Sequence, residues 1–391
     1  MFKLLLQDVK DRLQGNKARA NARLGLVNPP AGTGKLIWIV AGRSYDSVLM
    51  AAALLAAIRE KRQDVRLVLT YEIEYQDVIV QQMSRLKKIG FGYGCGDSAL
   101  AVKKMLNRLS PFAVILVGDT PTKSLLKVLS KENKFHKIAC QLNQVDWQAK
   151  GDEKLFEACY PHSFADDKLS AHCENVSEPF DVLTRLVQSQ VDKQLGAMLC
   201  GERHAQLFQV HNPGAVQLDK ILTLWKKSDI AKNSLLVIST DKEMLSAEEI
   251  STFENIAKQN QFNTLLLSKW QQQTVAEKHI LIADEKKWYA ALCASATATH
   301  LFATDMNHFW QVVASGSVVT SDVDNHAISQ DFKNLIQTRS DFSEILFYWQ
   351  SLLDNPLVLR KNSDALRKCF WQKRRQAESQ VNELLQRVYD W

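Results

Sequence analysis

The stretch PPAGTGK at Pro29–Lys35 holds the residue types of a phosphate-cradling loop: glycines that free backbone amides and a lysine that can reach the β and γ phosphates of ATP. Such a loop must follow a strand and open a helix. Here the glycines stand before an apolar run, Leu36–Ala41, and nothing strand-like precedes them. Leu36 also occupies the place after the lysine where a magnesium-binding Ser or Thr belongs. The context therefore predicts a flexible entry turn rather than an ATP site. The seven cysteines, Cys95, Cys140, Cys159, Cys173, Cys200, Cys293 and Cys369, are odd in number and never spaced CxxC. That pattern points away from a disulfide framework and a zinc site, and toward a reducing compartment. His308 carries acid, base and ligand chemistry, but a lone histidine among Asn307, Phe309 and Trp310 reads as a hydrogen-bonded structural residue, and no metal is implied. Asp46, just after Ser44 where an Ala/Leu-rich stretch begins, suits a helix N-cap, a role that stabilises by about 1 kcal/mol.

Positioning such groups requires a framework, and hydrophobic periodicity supplies one. Apolar runs alternate with amphipathic stretches along the whole chain, the pattern of βαβ units on parallel sheets. In the first half Leu36–Ala41, Val65–Thr70, Phe112–Gly118, Lys137–Leu142 and Arg185–Ser189 read as buried strands. The second half repeats the scheme with Leu235–Thr240, Thr264–Lys269, His279–Asp284, His300–Thr304 and Ser317–Ser321. Between them HNPGAVQLD, His211–Asp219, has the Pro and Gly of a linker. After Asp341 apolar residues recur at spacings of three and four, so the chain is expected to be helical to its end. The expected division is therefore one α/β domain over 1–212, a second over 213–340, and helices over 341–391 that pack back across both.

At 391 residues, two cores are the natural outcome, and 46% hydrophobic with 24% charged residues excludes a disordered or fibrous chain. No apolar stretch reaches the roughly eighteen residues of a membrane span. The opening MFKLLL breaks into charge too early for a signal peptide, so a cytoplasmic protein is expected. The net charge of +6 is concentrated in two basic ends, at Lys10, Arg12, Lys17, Arg19 and Arg23 and at Arg367, Lys368, Lys373, Arg374 and Arg375. Such ends fit solvated helix faces or peripheral contact with an anionic membrane surface.

The order of features then resembles one family. Arg23-Leu24-Gly25 ends a basic N-terminal helix, a short linker follows, and the Trp-bearing strand IWIVA runs through a turn into a long Ala/Leu helix. Further on come Tyr93 and Asp97 in YGCGD, Pro111 before AVILV, Gln188, Ser189 and Asp192 in LVQSQVDKQL, and Gly214 and Asp219 in GAVQLD. Ser239 and Thr240 stand in VISTDKE, Lys269 in LLLSKW, and Asn307, His308, Gln311 and Gly316 in DMNHFWQVVASG. This series resembles the bacterial 3-deoxy-D-manno-octulosonic acid (Kdo) transferases, GT-B glycosyltransferases that act on lipid A, with the chain as a divergent member.

The resemblance implies two Rossmann-like parallel-sheet domains facing a cleft, with the helices at the C-terminal end. It puts Asp46 at the position of the family's catalytic glutamate, as the base. Ser239, Thr240, Lys269, Asn307, His308 and Gln311 then fall at the donor-binding positions, with Lys269 replacing an arginine and Gln311 a glutamate. It implies CMP-Kdo or a similar nucleotide sugar as donor substrate, a lipid-linked acceptor, no cofactor, no metal and no nucleic acid. The place of action is the cytoplasm, peripheral to the inner membrane. Gly118 and Thr120 stand where the family has carboxylates, and the Asp284 loop lacks its glycine. Those departures motivate the alternative, a catalytically degenerate relative that binds or scaffolds.

Overall fold

A computed structural model describes residues 9–79, 83, 86–142, 145, 154–162, 167–187, 194–201, 206–273, 275, 279–302, 306–321, 335–339 and 341–390, all but 77, 167, 168, 306 and 307 of them with their side chains. The chain divides into two compact units, Met1–Leu186 with Lys373–Trp391, and Val187–Gln372.

The first unit is a seven-stranded sheet of β1 Leu36–Ala41, β2 Arg66–Tyr71, β3 Ile89–Tyr93, β4 Ala113–Val117, β5 His136–Cys140, β6 Phe156–Tyr160 and β7 Cys173–Val176. Its order is β3-β2-β1-β4-β5-β6-β7, and every pairing is parallel. The runs LIWIVA and AVILV are buried almost throughout, as a sheet covered on both faces requires. Its longer described helices are α1 Lys17–Arg23, α2 Tyr45–Lys61, α3 Ala99–Leu109 and α4 Lys123–Leu129, with a short single turn of helix at Gln76–Val78. Helix α2 buries Ala51, Ala52, Ala53 and Ala57, small residues that let it lie close on the sheet.

The second unit is again seven-stranded, with β8 Gln206–His211, β9 Ser234–Ser239, β10 Asn263–Leu266, β11 His279–Ala283, β12 Ala298–Leu301, β13 Val318–Ser321 and β14 Gln337–Thr338. Its parallel order is β10-β11-β9-β8-β12-β13-β14. Its helices are α5 Gln194–Cys200, α6 Ala215–Lys227, α7 Ala247–Gln259, α8 Tyr289–Ser295, α9 Met306–Ser315, α10 Phe342–Asp354 and α11 Pro356–Asp390. Phe208, stacked on Trp349 at 4.8 Å and set edge-on to Trp225, forms the aromatic centre of its core.

The expected boundary between 212 and 213 lies inside the second unit. Strand β8 pairs with β9 and β12, so HNPG is its turn into α6 and not a linker between domains. The terminal helices form where expected, but α11 is shared: to Gln372 it belongs to the second unit, and from Lys373 onward to the first. The strand expected at Arg185–Ser189 does not form in its described part. Val182–Arg185 is a 3₁₀ turn, held where the Thr184 hydroxyl and amide both donate to the Asp181 carbonyl. Gln188, Ser189 and Asp192 lie outside the described residues.

The entry turn at Gly32–Lys35 is exposed and makes two specific contacts. At Gly34, with φ of +111°, a Cβ would stand 2.3 Å from the Asp64 carbonyl oxygen, and the Lys35 ammonium sits 3.8 Å from the centre of the Phe112 ring. Close backbone approach explains this glycine, and the lysine is engaged by an aromatic face rather than held out for a phosphate.

Candidate functional site

In the first unit the connections run outward from β1 to β2 and β3, then cross to β4 on the other side. Ligands of doubly wound sheets gather at the carboxyl ends of the strands flanking such a reversal. A cavity of about 380 Å³ lies there, with Trp38, Val40, Leu116 and Leu125 among its walls and Arg43, Glu72, Asp97, Asp119 and Lys123 among the charged residues lining it.

Asp119 holds the turn that forms one wall. Its Oδ2 accepts from the amides of Arg43 and Ser44, both at 2.7 Å, and its Oδ1 accepts from the Ser44 hydroxyl at 3.0 Å. Its own amide donates to the Ser47 hydroxyl at 3.0 Å. Gly118, one of the two positions where the Kdo transferases have a carboxylate, has φ of +86°, and a Cβ on it would fall 2.0 Å from Ser47 Oγ. The local packing therefore demands glycine at 118, and a carboxylate appears one residue later. Asp119→Ala is expected to lower the unfolding free energy by about 2 kcal/mol, because amide donors at a helix start lose a charged acceptor. Urea denaturation of wild type and variant measures it, and an unchanged midpoint would contradict the assignment.

Asp46 occupies the second position of α2, half-buried, and is not part of the cavity wall. The capping read for it belongs to Ser44, whose hydroxyl accepts from the Ser47 amide at 3.3 Å. Asp46 is the acidic residue of the first turn, where the helix dipole favours negative charge. Around the cavity mouth Arg43 pairs with Glu72, and the Tyr75 hydroxyl donates to the Arg43 carbonyl at 3.1 Å. The Tyr93 hydroxyl donates to Glu74 at 2.6 Å, and Asp97 accepts from the Ser124 amide at 3.1 Å. Burial pushes the Cys95 thiol up to about 12, so at neutral pH it is an uncharged wall. Burial likewise raises the Tyr71 and Tyr93 hydroxyls.

In the second unit the nominated residues come out at the carboxyl edge of the sheet, with Ser239 and His308 both beside His211. Ser239 ends β9 and Thr240 follows it; both are buried, Ser239 to 1% exposure. The Ser239 hydroxyl accepts from Gln209 Nε2 at 2.7 Å and lies 2.9 Å from His211 Nδ1, so it is bonded inside the protein. His308, on α9, is 2% exposed, with its ring 5.2 Å from that of His211 and edge-on to Tyr289. The Tyr289 hydroxyl donates to the His308 main-chain carbonyl at 3.2 Å. Gln311, one turn on, is half-buried, and the Asn307 side chain lies outside those described.

Lys269 is exposed and ends a 3₁₀ turn, because β10 stops at Leu266 instead of running on to Lys269. That turn is tied to the end of β11 by Asp284, whose carboxylate accepts from the amide and hydroxyl of Ser268. Asp119 and His211 escaped the sequence reading. Asp119 stands between Gly118 and Thr120 with no pattern of its own, and the proline and glycine after His211 hide the end of a strand. Among the described residues no group of three or more His, Cys, Asp or Glu could hold a metal, and no helix is long and apolar enough to cross a membrane.

No protein-family model and no curated protein matches the chain. Solved structures do. The UDP-GlcNAc 2-epimerase of Neisseria meningitidis bound to UDP-GlcNAc aligns with a TM-score of 0.57 at 10% identity, over 90% of this chain and 100% of that one. A UGT transferase from Siraitia grosvenorii in complex with UDP aligns with a TM-score of 0.56 at 9% identity, covering 90% and 99%. MurG of Acinetobacter baumannii gives 0.52 at 9% identity, covering 86% and 95%. At these identities the likeness is one of fold: the chain has the GT-B architecture of two Rossmann-like α/β units, which nucleotide-sugar transferases and epimerases share.

Proposed function

We propose that the chain is a GT-B glycosyltransferase that moves Kdo or a related sugar from a CMP-activated donor to lipid A or a related glycolipid. The acceptor hydroxyl gives its proton to Asp46 and attacks the anomeric carbon, and the bond from that carbon to CMP breaks with its electron pair leaving on the phosphate. Lys269 neutralises the departing phosphate as a point charge, and Gln311 and Asn307 supply amide contacts to the nucleotide. Ser239 and His308 act behind them as the packed wall of the donor site, with Thr240 at its edge. Positioning and charge neutralisation provide most of the acceleration, and neither a cofactor nor a metal takes part. The basic ends, Lys10 to Arg23 and Arg367 to Arg375, meet the anionic lipids of the inner membrane's cytoplasmic face, where exposed Val9 and Leu13 add an apolar foothold.

The observation that carries this reading is a shared placement. Asp46, Thr240, Lys269 and α9 each stand at the carboxyl edge of their own sheet, the edge at which doubly wound sheets bind ligands. The internal bonding of Ser239 and the burial of His308 favour a second reading, a relative that keeps the fold as a binding or scaffolding protein without turnover. Isothermal titration separates the two. CMP and CMP-Kdo are expected to bind and UDP to bind less tightly, with Lys269→Ala weakening CMP roughly tenfold through the lost charge-assisted contact. Absence of CMP binding at millimolar nucleotide would overturn the transferase.

A further inference from the structure

We infer that the cavity beneath the β1–α2 turn is a site for a hydrocarbon chain. Its volume of about 380 Å³ lies in the range of small-molecule sites, roughly 300–1,000 Å³. Its inner walls are Trp38, Val40, Leu116 and Leu125. Three of the polar groups that line it are matched within the protein. Thr70 Oγ1 accepts from Trp38 Nε1 at 2.9 Å, Asp97 accepts from the Ser124 amide, and Asp119 is taken up by the donors of Arg43 and Ser44. A sugar or nucleotide pushed inside would bring hydroxyls that lose water and gain few partners, at a cost of about 1–3 kcal/mol each. A hydrocarbon chain brings none, and each buried CH₂ contributes about 0.8 kcal/mol.

The mouth suits the other end of such a molecule. Arg43 and Glu72 form an ion pair there, so a polar head can remain in water beside charged groups while the chain enters. Gly42 and Arg43 line the cavity, and the same turn leads directly into Asp46 at the start of α2. A chain seated here holds its head group near that carboxylate. On the transferase reading, on which this identification of the occupant rests, the chain is an acyl chain of the acceptor glycolipid. A free fatty acid presents the same chemistry.

The cavity carries its own reporter in Cys95, which lines it and is half-buried, whereas the other six cysteines are buried. Burial leaves little Cys95 thiolate at neutral pH, so modification of the full-length protein by N-ethylmaleimide at about pH 9, followed by intact mass and peptide mapping, is expected to be slow and to label Cys95 ahead of the six buried cysteines through its partial access alone. Octyl glucoside below its micelle concentration is expected to slow that labelling about fivefold or more, and methyl glucoside to leave it unchanged. Equal protection by octanoate identifies the chain alone as the ligand, and stronger protection by octyl glucoside identifies a glycolipid; both support the hydrocarbon site. No protection by either alkyl compound, or equal protection by methyl glucoside, would overturn it. A second measurement fills the cavity. Cys95→Phe is expected to weaken calorimetric octyl glucoside binding about tenfold or more while CMP binding is retained, and undiminished binding in that variant also overturns the site. Neither measurement uses the donor's reaction, so a failed chain site and a failed transferase assignment give different results.

Discussion

Acidification from pH 7 to pH 4 is expected to remove about 3 kcal/mol of stability from the second unit through His300 alone. This histidine, on β12, is buried to 1% exposure, with its ring edge-on to Phe302 and 5.6 Å from Phe342. Desolvation by burial lowers its pKa from 6.5 to about 3, against a smaller opposing effect of the hydrogen bond to Thr320. The folded protein therefore keeps His300 neutral while the unfolded chain takes up a proton below pH 6.5. Stability from this group is complete above the unfolded value and is lost as pH falls toward the folded one, at up to 1.36 kcal/mol per pH unit. Urea titrations of wild type and His300→Phe at several pH values test it. The variant starts less stable for want of the Thr320 bond, but its stability falls less steeply between pH 6.5 and 4, by roughly one proton. Parallel slopes would mean that His300 is protonated inside the fold.

The same burial explains which parts of the architecture can be read from sequence. LIWIVA, AVILV and HILIA are uninterrupted apolar runs because both faces of their strands are covered, so they announce themselves. Strand β8, QLFQVH, does not. Gln209 and His211 break the run, yet both are fully buried, because Gln209 donates to Ser239 and accepts from Thr299 while His211 bonds Ser239. A polar residue satisfied by a neighbouring strand looks from sequence like an exposed one. That is why the boundary was expected after β8 instead of before it. Strand β3, IGFGY, and the sheet-edge strand β7, CENV, are hidden by glycine and charge in the same way.

The site divides similarly. The placement of Asp46, Ser239 and Lys269 after apolar runs was legible because strand ends are legible, but whether a side chain faces out or in was not. Ser239 turns inward because Gln209 and His211 offer it partners, and those two residues are distant in sequence. Asp119 went unseen because its role depends on a turn seventy-odd residues away, whose two amides converge on it.

Asp46→Ala is expected to reduce turnover with CMP-Kdo and a lipid A acceptor by about 10²–10⁴-fold, the usual contribution of a positioned general base, while leaving CMP affinity unchanged. Three other carboxylates line the cavity beside the turn, and all are engaged elsewhere. Asp97 accepts from the Ser124 amide. Asp119 accepts from two amides and a hydroxyl, and Glu72 is ion-paired to Arg43. Loss of fold is a poor explanation for such a drop, because a first-turn carboxylate contributes only about 0.3–1 kcal/mol through the helix dipole. Asp46→Glu discriminates further. It lengthens the side chain by one methylene and restores the residue type of the Kdo transferases, so turnover should equal or exceed that of the wild type if reach limits proton transfer. A fall in Asp46→Glu alongside a fall in Asp46→Ala would mean that the shorter carboxylate is matched to this chain's own acceptor geometry. Full turnover in Asp46→Ala would remove Asp46 from the chemistry altogether, and with the nearby carboxylates engaged it would favour attack by an acceptor that loses its proton to water.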